Sequence, residues 1–284
     1  MSNANIKVWF ITGASRGFGL ETAREALARG DCVVATARKP EAIEAVLGRH
    51  DNLLSVALDV TSEAQAIAAA EAAIARFGRI DVLLNNAGYG LLGAVEEASA
   101  REVENQFATN VFGLLNVTRA VLPHMRRAGS GHVINISSIG GYAAYAGWGV
   151  YGATKFAVEG LTEALAAELA PIGIRATVVE PGFFRTDFLD QSSLVRTAAE
   201  YSDYAATVGE MRTLMAGANQ RQPGDPKKLA KALLVLADSA EPPVRLPLGT
   251  DTVAKIAEKN RFVERELEQW KAVAVSTDHD DVVN

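Results

Sequence analysis

Tyr151 and Lys155 stand four positions apart in Tyr151-Gly152-Ala153-Thr154-Lys155, within a stretch of helical period. Residues four apart share one helix face. A phenol titrates at about 10 and is a poor base at neutral pH. A lysine ammonium beside it favours the phenolate and lowers that value. Ser138 precedes them and brings a hydroxyl that can hydrogen-bond a substrate oxygen. Such a set can move a proton to or from an alcohol or a carbonyl oxygen. The Tyr–Lys spacing alone also suits an ordinary exposed pair.

A second group is the run Thr12-Gly13-Ala14-Ser15-Arg16-Gly17-Phe18-Gly19, between an apolar run and a helical stretch. A helix N-terminus presents unpaired N–H groups and the positive end of a dipole, which suit a pyrophosphate. Glycines permit the tight turn and the close backbone approach. The spacing is not the common G-x-G-x-x-G, and three glycines alone also suit a structural turn.

The next apolar run ends in Thr36-Ala37-Arg38-Lys39, with no acid. A site for NAD commonly carries a carboxylate there, on the ribose diol. Arg38, with Arg16 from the glycine run, instead suits a 2′-phosphate, which a guanidinium grips through paired hydrogen bonds. NADP(H) is therefore the expected cofactor. The alternative is that Arg38 and Lys39 form a solvated turn.

These groups need a frame. Apolar runs of strand length fall at 8–12, 32–36, 53–58, 82–84, 133–136 and 176–179, with a seventh at 244–248. Helical periods lie between them, at 22–29, 62–77, 99–127, 150–169 and 226–237, and again at 250–273. Thr61 or Ser62, Ser99 and Asp225 are placed to cap three of these helices, and Thr250 or Asp251 the last. Strands alternating with helices predict an α/β, doubly wound parallel sheet of Rossmann type, about seven strands with helices on both faces. Crevices in such sheets lie beyond the carboxyl ends of the strands, where the special residues fall. One domain, 1–284, is expected, with 183–223 as a substrate lid and 250–273 as a terminal helix.

Composition agrees with a catalytic α/β chain. Of 284 residues 49% are hydrophobic, enough for a sizeable core. Lys and Arg number 28 against 34 Asp and Glu, a net charge of −6 that argues against nucleic-acid binding. The single cysteine, Cys32, excludes an intrachain disulfide and reads as a core thiol. The four histidines show no metal-ligand spacing, so no metal is expected. No leader pattern or membrane-length apolar run is seen, so a cytoplasmic location is expected. The polar end at Asp278, Asp280 and Asp281 is expected to fray.

With these motifs in order the chain resembles the short-chain dehydrogenase/reductase family over roughly residues 6 to 250. Within it the chain is most similar to the 17β-hydroxysteroid-dehydrogenase-like carbonyl reductases, through Gly17-Phe18-Gly19, Arg38-Lys39-Pro40 and Phe183-Phe184-Arg185-Thr186-Asp187-Phe188. The resemblance implies Ser138, Tyr151, Lys155 and Asn110 as the catalytic set. Tyr151 would be the general acid/base, and Lys155 would tune it and hold the nicotinamide ribose. Ser138, thirteen residues before Tyr151, would orient the substrate, and Asn110 would hold a relay water. The implied cofactor contacts are Gly13, Ser15, Arg16, Gly17, Phe18 and Gly19 in the loop, Arg38 after the second strand, and Asp59 with Val60 at the adenine. Asn86, Ala87 and Gly88, from Asn85-Asn86-Ala87-Gly88, would border the cofactor, while Tyr151, Lys155, Pro181, Gly182, Phe184 and Thr186 would meet its nicotinamide end.

The activity implied is hydride transfer between NADP(H) and a ketone or secondary alcohol. Gly140, Tyr142, Tyr145, Trp148, Phe183, Phe184, Phe188, Met211 and Met215 form the expected pocket wall, which favours a hydrophobic or aromatic substrate. Other readings on the same fold are an epimerase or dehydratase, or a non-catalytic NADPH sensor. The expected partner is that small molecule, with no nucleic acid and no membrane. The long helices offer a homodimer surface, since the terminal helix replaces the Gly-rich end through which shorter family members form tetramers.

Overall fold

The computed structural model describes residues 6–279. The expectation for Asp280 and Asp281 lies outside them. In chain order the elements begin with β1 (Val8–Thr12), α1 (Gly17–Arg29), β2 (Cys32–Ala37), α2 (Glu41–Leu47), β3 (Leu53–Ala57), α3 (Glu63–Phe77), β4 (Val82–Asn85) and β5 (Gly90–Leu92). Next come α4 (Ala100–Phe107), α5 (Leu114–Ala128), β6 (Gly131–Ile136), α6 (Gly149–Leu169) and β7 (Ile174–Pro181). The chain closes with β8 (Leu194–Arg196), α7 (Glu210–Ala218), α8 (Pro226–Asp238), β9 (Arg245–Leu248) and α9 (Thr250–Val275).

Seven strands form one parallel sheet in the order β3-β2-β1-β4-β6-β7-β9. The order reverses between β1 and β4, which opens a crevice at their carboxyl ends. β1 explains the layering. Trp9 and Ile11 pack on the side covered by α1 and α8, and Phe10 packs on the opposite side with α3 and α5. All five residues of β1 are buried, as expected of a strand covered on both faces.

Several boundaries are set by local chemistry. Ser62 caps α3 by accepting from Gln65 N, and Ser99 with Glu102 forms a capping box on α4. The 99–127 helical stretch is not one helix: a π-helical turn, Ala108–Gly113, separates α4 from α5. Such turns are rare and cluster at functional sites. At its end Gly113 meets Val60, whose Cγ2 lies 2.6 Å from where a Cβ would stand.

The stretch expected as a lid, 183–223, carries more regular structure than its sequence shows. β8 pairs in parallel with β5, forming a small second sheet that periodicity did not reveal. Three residues are too few to show an alternation. Glu97, fully buried in its side chain, accepts from Arg212 of α7 at 2.6 Å and from the backbone of Ala94 and Tyr201. The stretch 194–212 is therefore fastened to the body. Cys32 is half-buried rather than a core thiol, because it opens β2 at the sheet margin. Among the described residues no helix is long and apolar enough to cross a membrane, and no cluster of three metal-ligating side chains occurs.

Candidate active site

The glycine loop is built by β1 running straight into α1. Gly13 and Gly17 adopt φ of 65° and 57°, the left-handed region that glycine takes without strain. A Cβ on Gly19 would lie 2.6 Å from both Asn86 Nδ2 and Gly13 O, so only glycine fits there. Asn86 pins the loop from β4, donating through Nδ2 to Thr12 O at 2.9 Å and Gly13 O at 3.1 Å. Thr12 Oγ1 accepts in return from the Asn86 and Ala87 amides, at 2.9 and 3.0 Å. Helix α1 carries no side-chain cap and no acid in its first turn. Its uncapped N-terminus and the glycine backbone fit the pyrophosphate of a dinucleotide.

The ribose end holds no acid. Arg38 is exposed just past β2. Arg16 donates to the hydroxyl and carbonyl of Ser192 at 2.6 and 2.7 Å. Asp59 ties its own turn, accepting from Thr61 N and Thr61 Oγ1 at 3.0 and 2.7 Å. Neighbouring Val60 is buried beneath it.

Tyr151 and Lys155 lie on the buried face of α6. Ser138 ends the β6 segment and caps the turn at 139–141, accepting from Gly140 N at 3.1 Å. Ser138 Oγ and the Tyr151 ring both flank Gly140, at 3.5 and 3.6 Å from the place of its absent Cβ, so the hydroxyl and the phenol converge. Ser137 points the other way, toward the Lys155 carbonyl at 3.5 Å. Lys155 Nζ donates to Ile136 O at 2.8 Å. Asn110, in the π-helical turn, donates to Tyr89 O at 3.0 Å and Thr154 Oγ1 at 3.1 Å. Asn110 Oδ1 and Lys155 Nζ flank Gly88, at 3.1 and 3.8 Å from the place of its absent Cβ.

The electrostatics correct one expectation. Burial pushes the Tyr151 phenol up to about 12, with the Ser138 bond pulling weakly down. Burial pushes Lys155 down to about 8, against the pull of Glu159. Burial thus outweighs Ser138 at the phenol and the Glu159 charge at the ammonium, and the phenol is raised where a neighbouring lysine was expected to lower it. The cover is aromatic. Trp148 meets the Tyr151 ring edge-on at 5.4 Å and Phe188 lies tilted at 5.7 Å.

Of the expected wall, Tyr145, Trp148, Phe183, Phe188, Met211 and Met215 do gather around Tyr151, joined by Leu92 and Leu194 from the small sheet. Phe184 stands elsewhere, edge-on to Phe18 of the glycine loop at 5.4 Å. Tyr142 faces away from the crevice and donates to Asn260 of α9 at 2.6 Å. An open cleft of about 530 Å³ lies between α6 and α9, and Tyr151 does not line it.

Two residues named in the sequence take other places. Asp251 does not cap α9. Its carboxylate accepts from Phe183 N at 2.7 Å and sits against Gly182, fixing the Pro181–Gly182 corner. Thr186 caps the turn that carries Phe188. Below Lys155, Glu159 and Glu180 share the Arg245 guanidinium, and burial pushes the Glu159 carboxyl up. Nothing in the spacing of 159, 180 and 245 signals that grouping.

A parallel sheet with its switch point beside a glycine loop, and a Ser–Tyr–Lys set at the same crevice, defines a dinucleotide-dependent oxidoreductase. The short chain dehydrogenase family model matches residues 7–196, and the chain belongs to that family. It is 38% identical over 273 residues to an oxidoreductase, BOA17, of Botryotinia fuckeliana, covering 95% of this chain and 99% of that one. It is also 38% identical to a 3-ketodihydrosphingosine reductase of Bacteroides thetaiotaomicron, over 93% of this chain and 96% of the relative. A solved short-chain dehydrogenase from Streptomyces avermitilis superposes with a TM-score of 0.90 at 44% identity, covering 98% of this chain and 100% of that one.

Solved relatives bind nicotinamide nucleotides of both kinds. A 3-ketoacyl-(acyl-carrier-protein) reductase from Brucella melitensis holds NADH (29% identity, TM-score 0.71, 85% of this chain and 96% of that one). ElxO holds NADP (28% identity, TM-score 0.71, 88% and 99%).

Proposed function

We propose that this oxidoreductase is an NADP(H)-dependent carbonyl reductase acting on a bulky hydrophobic ketone, and in reverse on the secondary alcohol. The observation that carries this reading is the convergence of the Ser138 hydroxyl and the Tyr151 phenol beneath an aromatic cover. Two hydroxyls can address one carbonyl oxygen. Ser138 orients that oxygen and Tyr151 gives it a proton. A phenol held up at about 12 is protonated at neutral pH, the form that reduction needs.

The bound nicotinamide would supply hydride to the carbonyl carbon. The loop backbone from Gly13 to Gly19, with Ser15 and Phe18, would hold its pyrophosphate, and Arg16 and Arg38 its 2′-phosphate. Asp59 and Val60 would border the adenine, Asn86 to Gly88 the middle of the cofactor, and Pro181, Gly182, Phe184 and Thr186 its nicotinamide. Lys155 would hold the second ribose. Asn110, across Gly88 from Lys155, would hold the water that returns a proton to the site.

The wall of Leu92, Trp148, Phe188, Leu194, Met211 and Met215 suits an extended apolar substrate. The Bacteroides relative is named for reducing a long-chain ketone, which agrees with that wall. NADPH oxidation against long-chain aliphatic, steroid and aromatic ketones is the test. Turnover with at least one of these classes is expected, and none with sugar nucleotides. No NADPH oxidation with any ketone would refute the reading.

A further inference from the structure

The last half of α9 lies on the outside of the described structure. From Asn260 to His279 every residue is exposed. Yet Val263, Leu267 and Trp270 are large and apolar, and they are 47%, 62% and 65% exposed. Their placing is regular. Ile256, Asn260, Val263, Leu267, Trp270 and Ala274 follow one another at alternating steps of four and three, the seam of a two-helix coil. The first members face the body: Ile256 is half-buried and Asn260 accepts from Tyr142. The later members run on past the body, beside the cleft of about 530 Å³ between α6 and α9. That cleft is walled by Phe156 and Gly160 on one side and Val263 on the other. Phe156 is 44% exposed, and nothing lies within 4 Å of the place a Gly160 Cβ would take.

We propose that this stripe is an association surface for a second copy of the chain, α9 against α9, with the cleft beside α6 receiving the partner helix. The charges flanking the seam identify the occupant. They are Lys259, Glu264, Glu266 and Lys271. Run parallel, two such helices set Lys259 beside Glu264 and Glu266 beside Lys271. Run antiparallel, they set Lys259 beside Glu266 and Glu264 beside Lys271. Each flanking charge meets an opposite one in both directions, as self-pairing coils require. An anionic membrane surface would be served by a cationic face, and these four charges cancel. The surface is separate from the outward faces of α5 and from the catalytic crevice.

Sedimentation velocity on the full chain over a concentration series is the test. The wild type is expected to gain mass with concentration. Leu267→Asp, and separately Lys259→Glu with Lys271→Glu, are expected to lower that mass, while ketone reduction per subunit is retained. The four-fold swap K259E/E264K/E266K/K271E restores opposite charges and is expected to restore association. That rescue separates a specific seam from a merely unfolded helix. A wild type that stays monomeric at every concentration overturns the proposal. So does an assembly whose mass Leu267→Asp leaves unchanged. Binding of the monomeric wild type to phosphatidylserine vesicles, lost in Trp270→Ala, would overturn it in favour of a lipid surface.

Discussion

Arg16, in the glycine loop, donates through both terminal guanidinium nitrogens to Ser192, at 2.6 Å to its hydroxyl and 2.7 Å to its carbonyl. One side chain thus joins the glycine loop to the 183–223 segment, which the proposed function makes the substrate cover. A 2′-phosphate would compete with Ser192 for the same fork, and a charge-assisted bond outweighs a neutral one.

Cofactor preference follows. Charge-assisted bonds contribute about 1.5–3 kcal/mol each, and exposure to salt lowers that. NADPH is expected to exceed NADH in kcat/KM by at least about tenfold. Arg38→Ala and Arg16→Ala should each remove most of the margin, and Ala37→Asp should shift it toward NADH. Steady-state kinetics with both cofactors at physiological salt decide it. Equal use by the wild type would mean that neither arginine holds the phosphate.

Tyr151→Phe keeps the ring that Trp148 and Phe188 cover but removes the transferable proton. Turnover is expected to fall by about a hundredfold or more. NADPH affinity, measured by fluorescence titration, should change little. Wild-type-like turnover in the purified variant would remove Tyr151 from the chemistry.

The pH dependence has a direction. Tyr151, held up at about 12, stays protonated through neutral pH, so reduction needs no alkaline activation. Lys155, pushed down to about 8, loses its charge above that value. Ketone reduction is expected to hold from neutral pH to about 8 and to decline above it. Alcohol oxidation, which needs the phenolate, should rise with pH over the same range. A reductive rate that climbs steadily with pH above 8 would contradict this assignment.

Glu97 and Arg212 fix part of the lid. Removing one partner of a buried pair strands the other and typically costs about 3–5 kcal/mol. Arg212→Met should therefore loosen 194–212 locally, raising hydrogen exchange there while β1 and β4 stay protected. In the wild type 194–212 should be protected even without substrate. Fast exchange across that whole stretch in the wild type would show that the pair does not anchor the lid.

His132 gives the fold a pH limit. It is buried in β6 against Thr177 Oγ1 at 2.9 Å, and burial pushes it down to about 4. The unfolded chain binds the proton near 6.5, the folded chain only near 4. Stability is therefore fully present above about 6.5 and is lost as pH falls toward 4, by about 3 kcal/mol. Urea unfolding from pH 7 to 4.5 should show this loss, and His132→Asn should flatten it. An unchanged slope in the variant would assign the loss to other groups.

The sheet, the glycine loop and the Tyr151–Lys155 pair could be read from the chain itself. Each of these rests on short-range chemistry. Buried parallel strands must be continuous apolar runs, a close backbone approach needs glycine at Gly19, and a four-residue step puts Tyr151 and Lys155 on one face. Even cap residues such as Ser62, Ser99 and Asp225 could be named, because a cap bonds within its own turn.

The remaining contacts join groups far apart in the chain. The β5–β8 pair joins residues about a hundred positions apart through three-residue strands too short to carry a period. Asp251 reaches Phe183, Arg16 reaches Ser192, and Arg245 gathers Glu159 and Glu180, none of which spacing can signal. The direction of the Tyr151 shift belongs with these. The sequence places a lysine beside the phenol, which would lower its pKa. Whether charge or desolvation wins depends on how completely Trp148 and Phe188 exclude water, and that is fixed by packing across the crevice.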